Sequence, residues 1–172
     1  MRKLASEPAP LDTAGRNEQD SNPTMEMTGE QLIPLPQVAT WEALNDPAVL
    51  KDCIPGCESI ESVGDNEYEV VLTAKVGPVS AKFKGRMRVT DADPPRAYTL
   101  HFEGQGGVAG FAKGEAGVAL APEGNNTRLT YNAKATIGGK LAQVGARLID
   151  GVARQLAGKF FEAFSKRAGK ES

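Results

Sequence analysis

Four stretches between residues 67 and 137 alternate apolar and polar side chains with a period of two. In 67–76, Tyr68, Val70, Leu72, Ala74 and Val76 alternate with Glu67, Glu69, Thr73 and Lys75. In 79–90, Val79, Ala81, Phe83, Met87 and Val89 alternate with Lys82, Lys84, Arg86 and Arg88. In 97–103, Tyr98, Leu100 and Phe102 alternate with Thr99, His101 and Glu103. In 127–137, Leu129, Tyr131, Ala133, Ala135 and Ile137 alternate with Arg128, Thr130, Asn132 and Lys134. Successive strand side chains point to opposite faces, so this pattern demands an antiparallel sheet with one buried face and one wet face. Gly64-Asp65-Asn66, Gly77-Pro78, Asp93-Pro94-Pro95 and Gly124-Asn125-Asn126 supply the turns of a meander.

A sheet with one apolar face needs a cover. The C-terminal stretch provides it. Leu141, Val144, Leu148, Val152, Leu156 and Phe160 recur at threes and fours, and Ile149, Phe161 and Phe164 widen the stripe. That spacing predicts one amphipathic helix over 140–168, entered at Gly138-Gly139 and ended by Gly169. Ahead of the meander, MEMTGEQLIPL (25–35) alternates as a strand. Pro36 opens a short helix over 36–44, with Val38, Trp41 and Leu44 on one face. Asp46 is placed to cap a second short helix with Pro47 at its first position, stopped by Pro55-Gly56. The expected class is therefore α+β. Residues 1–24, rich in proline and polar side chains, read as a disordered extension; 25–169 read as the folded domain and 170–172 as a tail.

Glycines at 104, 106, 107, 110 and 114 interrupt the alternation. Neither a helix pattern nor a Lys-Ser pair follows them, so the segment reads as a bulged hairpin or a rim, not a phosphate loop. The chain has 20 basic and 22 acidic residues, for a net charge of −2, which leaves no field for bulk nucleic-acid binding. No apolar run approaches the ~20 residues of a membrane span, and no apolar segment follows Met1-Arg2-Lys3, so a cytoplasmic location is expected. Cys53 and Cys57 with the single His101 cannot complete a tetrahedral zinc site, and they read as a reduced pair.

The inward parity mixes large residues (Phe83, Tyr98, Phe102, Tyr131) with small ones (Ala74, Ala81, Gly85, Ala116, Ala133, Ala135). Pattern alone fits an ordinary core and a cavity wall equally well, because bent sheets also use small residues to curve.

Several stretches carry a family resemblance: MEMTGEQLIPLPQ (25–37), WEALNDPAVLKDCIPGCESIE (41–61), GFAKGEAGVALAPEG (110–124) and GGKLAQVGARLIDGVARQLAGKFFEAF (138–164). In these the chain resembles the CoxG family, the G component of carbon monoxide dehydrogenase, within the START/Bet v 1-like (SRPBCC) superfamily. The resemblance implies a helix-grip fold, a curved antiparallel sheet around a long C-terminal helix with two short helices. It also implies an elongated hydrophobic cavity between sheet and helix. The partner it implies is a molybdenum hydroxylase of the carbon monoxide dehydrogenase type. The implied ligand is menaquinone or another isoprenoid quinone, carried at the inner face of the cytoplasmic membrane with peripheral contact. Many members carry a Pro-rich linker and an apolar tail, whereas Lys166, Arg167, Lys170 and Glu171 lie near the end here.

On that reading the cavity lining is Tyr68, Leu72, Phe83, Met87, Tyr98, Phe102 and Tyr131 on the sheet, facing Leu148, Val152 and Leu156 on the helix. Tyr131 or Tyr98 would offer a hydroxyl to a quinone carbonyl. Val108 and Phe111 among the glycines would form a portal touching membrane. Two other function classes compete. An enzyme of the same superfamily would need acid–base groups, but His101, Glu103 and Glu115 fall on the wet parity, and Asp150 is spaced to pair with Arg154 on the helix surface. A docking adaptor without ligand would use the outer basic stripe of Lys82, Lys84, Arg86 and Arg88.

Overall fold

The computed structural model describes residues 24–171, with side chains as far as residue 168. Strand β1 (Thr24–Ile33) leads into α1 (Gln37–Leu44) and α2 (Pro47–Cys53). Six strands follow: β2 (Cys57–Gly64), β3 (Glu67–Val76), β4 (Val79–Asp93), β5 (Ala97–Gln105), β6 (Phe111–Glu123) and β7 (Asn126–Gly138). A short α3 (Lys140–Gln143) precedes the long α4 (Ala146–Glu171). The strands form one antiparallel sheet in the order β1-β7-β6-β5-β4-β3-β2. The meander is as the period of two predicts. Only β1 leaves sequence order, pairing with β7 from Thr24↔Thr136 to Ile33↔Thr127. Helix α4 crosses the inner face and touches β1, β3 and α2. This is the helix-grip arrangement.

Local chemistry sets the element ends. The Asp46 carboxylate accepts the Ala48 N–H at 3.0 Å with Pro47 in the first turn, the expected cap. The glycine-rich segment is a tight connection, a single 3-10 turn over Gly107–Ala109 between β5 and β6. Sheet curvature also depends on glycine. Gly85 faces Gly104 across β4 and β5, and a Cβ on Gly85 would lie 2.2 Å from the Glu103 carbonyl oxygen. The strands therefore approach too closely there for any side chain.

Two boundaries differ from expectation. The predicted helix over 140–168 is two helices, because Gly145 takes φ +98° between them. An L-residue rarely adopts that backbone, and the turn redirects the chain. At the other end α4 runs through Gly169 to Glu171, so 170 and 171 belong to the helix and not to a tail. Gly169 is not among the glycines with positive φ, and a glycine inside a last turn costs only ~1 kcal/mol. Of the extension expected over 1–24, Thr24 already belongs to β1; residues 1–23 lie outside the described part.

The apolar interior divides into two packed regions. One gathers Ile33, Leu35, Leu44, Leu120, Leu129 and Phe164 where α1, α2 and the end of α4 meet the sheet. The other gathers Val76, Ala135, Ile137, Leu141 and Ile149 at the start of α4. A buried polar knot joins α1 to the first region. Thr40 and Thr127 are both fully buried. The Thr127 hydroxyl donates to the Leu35 carbonyl at 2.7 Å, while the Thr40 hydroxyl lies 2.9 Å from the Pro36 carbonyl and 3.1 Å from Thr127 Oγ1.

Candidate functional site

Between the two packed regions the sheet and α4 do not meet. A cavity of about 640 Å³ lies there, walled by Tyr68, Leu72 and Ala74 of β3, Met87 and Val89 of β4, Tyr98 and Leu100 of β5, and Ala116 and Val118 of β6. Tyr131 of β7 and Val152, Leu156, Phe160 and Phe161 of α4 complete it. A second chamber of about 320 Å³ extends it toward Phe83, Phe102, Ala112 and Leu141. Ile54, Leu72, Ala74 and Met87 wall both chambers, so the space is elongated along the strands. Ligand sites are commonly ~300–1,000 Å³ and mostly apolar. At one edge, Ile54-Pro55-Gly56, Thr73 and Lys75 face Gln155 and Lys159. These polar residues rim a mouth between β3 and α4.

The cavity exists because small residues oppose one another. Ala74 and Ala116 on the sheet and Ala153 and Ala157 on the helix all line it. Dispersion falls away steeply with separation, so nothing draws the two walls together once large side chains are missing from both.

All of the sequence-predicted lining residues reach one or both chambers except Leu148. Phe83 and Phe102 line the smaller chamber alone. Leu148 is 38% exposed and occupies the space above Gly77 in the β3–β4 turn. The turn at Gly145 starts α4 over that connection, so its first turns lie beyond the cavity. Pattern reading missed Asn45, Ile54 and Pro55, which enter from the end of the short helices. No periodicity marks a turn residue as a wall. It also missed Val89, Leu100 and Phe161, which share the inward parity or stripe of the residues named and were legible on that ground.

Three tyrosines line the main chamber, each in a different state. The Tyr68 hydroxyl lies 3.5 Å from the Asn45 carbonyl. The Tyr131 ring covers Gly29 of β1 and stacks on Phe161 at 5.6 Å between centroids. Tyr98 is only 7% exposed, stands edge-on to Trp41 at 5.2 Å, and its hydroxyl has no hydrogen-bond partner among the described residues. Burial pushes its phenol well above the ordinary range, so it stays protonated.

The outer face differs from the basic stripe the sequence suggested. Lys82 sits 3.3 Å from Glu58, and Arg86 sits 3.3 Å from Glu69. Arg88 faces Glu67 on one side and His101 on the other. Only Lys84 in the stripe faces two uncharged residues in register, Val71 and Gln105. Cross-strand pairing thus turns a run of cations along one strand into a ladder of alternating sign, which period-two reading of single strands cannot reveal. The Glu58 carboxyl is held below its ordinary range by the Thr73 hydroxyl and by Lys82. His101 lies on the outer face as expected, its Nε2 3.0 Å from the Thr90 hydroxyl. The Asp150–Arg154 pair expected on α4 is not among the ion pairs of the described residues, which fits the small gain, ~0.3–0.5 kcal/mol, that such a pair sets against side-chain entropy. Burial raises the Cys57 thiol, against the lowered value that thiol redox chemistry needs. Among the described residues no helix is long and apolar enough to cross a membrane.

Comparison with known proteins places this geometry. Residues 29–169 match the CoxG family profile, described as the G component of carbon monoxide dehydrogenase. No curated protein matches. A conserved protein from Geobacillus kaustophilus has a solved structure similar to this one, with 35% identity over 85% of this chain and 96% of that chain, and a TM-score of 0.80. The Zhui aromatase/cyclase from Streptomyces sp. R1128 is similar at 16% identity over 86% of this chain and 95% of that one, with a TM-score of 0.65. TTHA0849 from Thermus thermophilus stands at 16% identity, 86% and 99% coverage, and a TM-score of 0.65. The last two likenesses are of fold alone.

Proposed function

The chain belongs to the CoxG family of carbon monoxide dehydrogenase components, and from that premise we propose that it is an accessory protein that carries an apolar ligand in the cavity under α4. The ligand of this reading is an isoprenoid quinone such as menaquinone. The partner is a molybdenum hydroxylase of the carbon monoxide dehydrogenase type, and the carrier links that enzyme to the cytoplasmic membrane by peripheral contact. The observation that supports this most is the elongated apolar space itself, about 640 Å³ continued by about 320 Å³. An interior of this size left empty forfeits dispersion contacts on every wall. A bound chain restores them. A quinone ring with an isoprenoid tail suits two chambers in line, and the mouth between β3 and α4 offers the way in.

Native mass spectrometry of the gently purified protein, followed by solvent extraction, tests the reading. A stoichiometric adduct that extracts as a quinone or long isoprenoid is the expected result. A clean apo mass, unchanged after incubation with quinone-loaded vesicles, would sink the carrier reading.

A further inference from the structure

The same cavity holds one polar group that the apolar reading leaves unexplained. Tyr98, on β5, is more than nine-tenths buried, and its hydroxyl has no protein partner among the described residues. A buried hydroxyl left without a partner costs on the order of 1–3 kcal/mol. The neighbouring tyrosines do not share this condition. Tyr68 reaches the Asn45 carbonyl, and Tyr131 is half-buried, leaning over Gly29. Trp41 fixes the Tyr98 ring by an edge contact at 88°, so its hydroxyl has little freedom to find another acceptor.

We propose that Tyr98 is the group that selects the ligand, donating a hydrogen bond to an acceptor oxygen of the carbonyl type on an otherwise apolar molecule. The inference rests on the carrier reading and narrows it: the ligand is an apolar carbonyl compound, not a plain hydrocarbon. A hydrocarbon of the same shape would displace water from the cavity and strand the hydroxyl. A carbonyl would satisfy it. Because burial keeps the phenol protonated, the donor is present at any physiological pH. Discrimination of this kind, in which the analogue lacking the polar atom is rejected, follows whenever a site's buried polar group would otherwise go unpaired.

The probes are 2-acetylnaphthalene and 2-ethylnaphthalene, near-isosteres that differ by one carbonyl oxygen. Both are titrated calorimetrically into the wild type, Tyr98→Phe and Tyr131→Phe. The ratio of ketone to hydrocarbon affinity should fall roughly five- to tenfold in Tyr98→Phe, the range of one buried neutral hydrogen bond. It should stay unchanged in Tyr131→Phe. The ligand-free Tyr98→Phe protein should unfold at the same urea concentration as the wild type, or at a higher one. A ratio unmoved by Tyr98→Phe overturns the proposal. So does a Tyr98→Phe protein that unfolds earlier or fails to fold, since the hydroxyl would then have a protein partner. If the ketone and the hydrocarbon both bind and only the ratio disappoints, the cavity stands and the selector falls. If neither probe binds any of the three proteins, the carrier reading fails and takes the proposal with it.

Discussion

The end of α4 and its middle bear the same apolar repeat against the same sheet, yet one is packed solid and the other stands over empty space. Phe164 is 1% exposed, among Ile33, Leu35 and Leu129. Leu156, two turns earlier, is 39% exposed and borders the cavity. The helix periodicity does not distinguish them. The residues opposite do. Where branched and aromatic side chains project from both walls, they interdigitate to crystal-like density. Where alanines project from both walls, a void remains. A packed end and a hollow middle are thus two outcomes of one stripe, set by side-chain volume on the facing element.

The contrast is broken most directly at Phe164. Phe164→Ala should cost about 3–5 kcal/mol, because it leaves a void that its fully enclosed neighbours cannot fill. Urea denaturation measures it. A loss below ~1 kcal/mol would mean that the packed end is as loose as the middle.

The polar knot at the same end is the next largest effect. Thr127→Val keeps the shape and removes the donor to the Leu35 carbonyl. The carbonyl and the Thr40 hydroxyl would stay buried with one partner fewer, at about 1–3 kcal/mol. Equal stability of Thr127→Val and the wild type would show that the knot contributes only packing.

How much of this was legible in the residues follows from the same physics. The meander, the cover helix and the Asp46 cap are local patterns, and each was readable from spacing alone. The break at Gly145 was not, because its positive φ serves a turn between two helical stretches and leaves the stripe intact on both sides. Whether the interior was filled was also not legible. Ala74 and Ala116 on their strands fit a curved core as well as a cavity wall, and only their apposition to Ala153 and Ala157 across the sheet–helix gap decides it. The cations at 82–88 look like a basic stripe along the chain, whereas their acids lie on the neighbouring strands β2 and β3. Properties that belong to one element are written in that element; those that belong to a pair of elements wait for the register.

The smallest expected effect is the most informative, because it places one substitution in both environments. Ala135 of β7 is 5% exposed within the packed region at the start of α4, and Ala116 of β6 lines the main chamber. Ala135→Leu inserts volume where none is free and should cost about 1–3 kcal/mol. Ala116→Leu inserts the same volume into open space. It buries new apolar surface without strain, so stability should move by no more than about 0.5 kcal/mol, in either direction. Its consequence should appear in occupancy: less of the apolar ligand retained after purification, with the fold intact. Thermal melts of the two variants, with extraction of each, make the test. If Ala116→Leu destabilised as much as Ala135→Leu, the middle of the molecule would be a core like its ends, and the reason for expecting a ligand there would be gone.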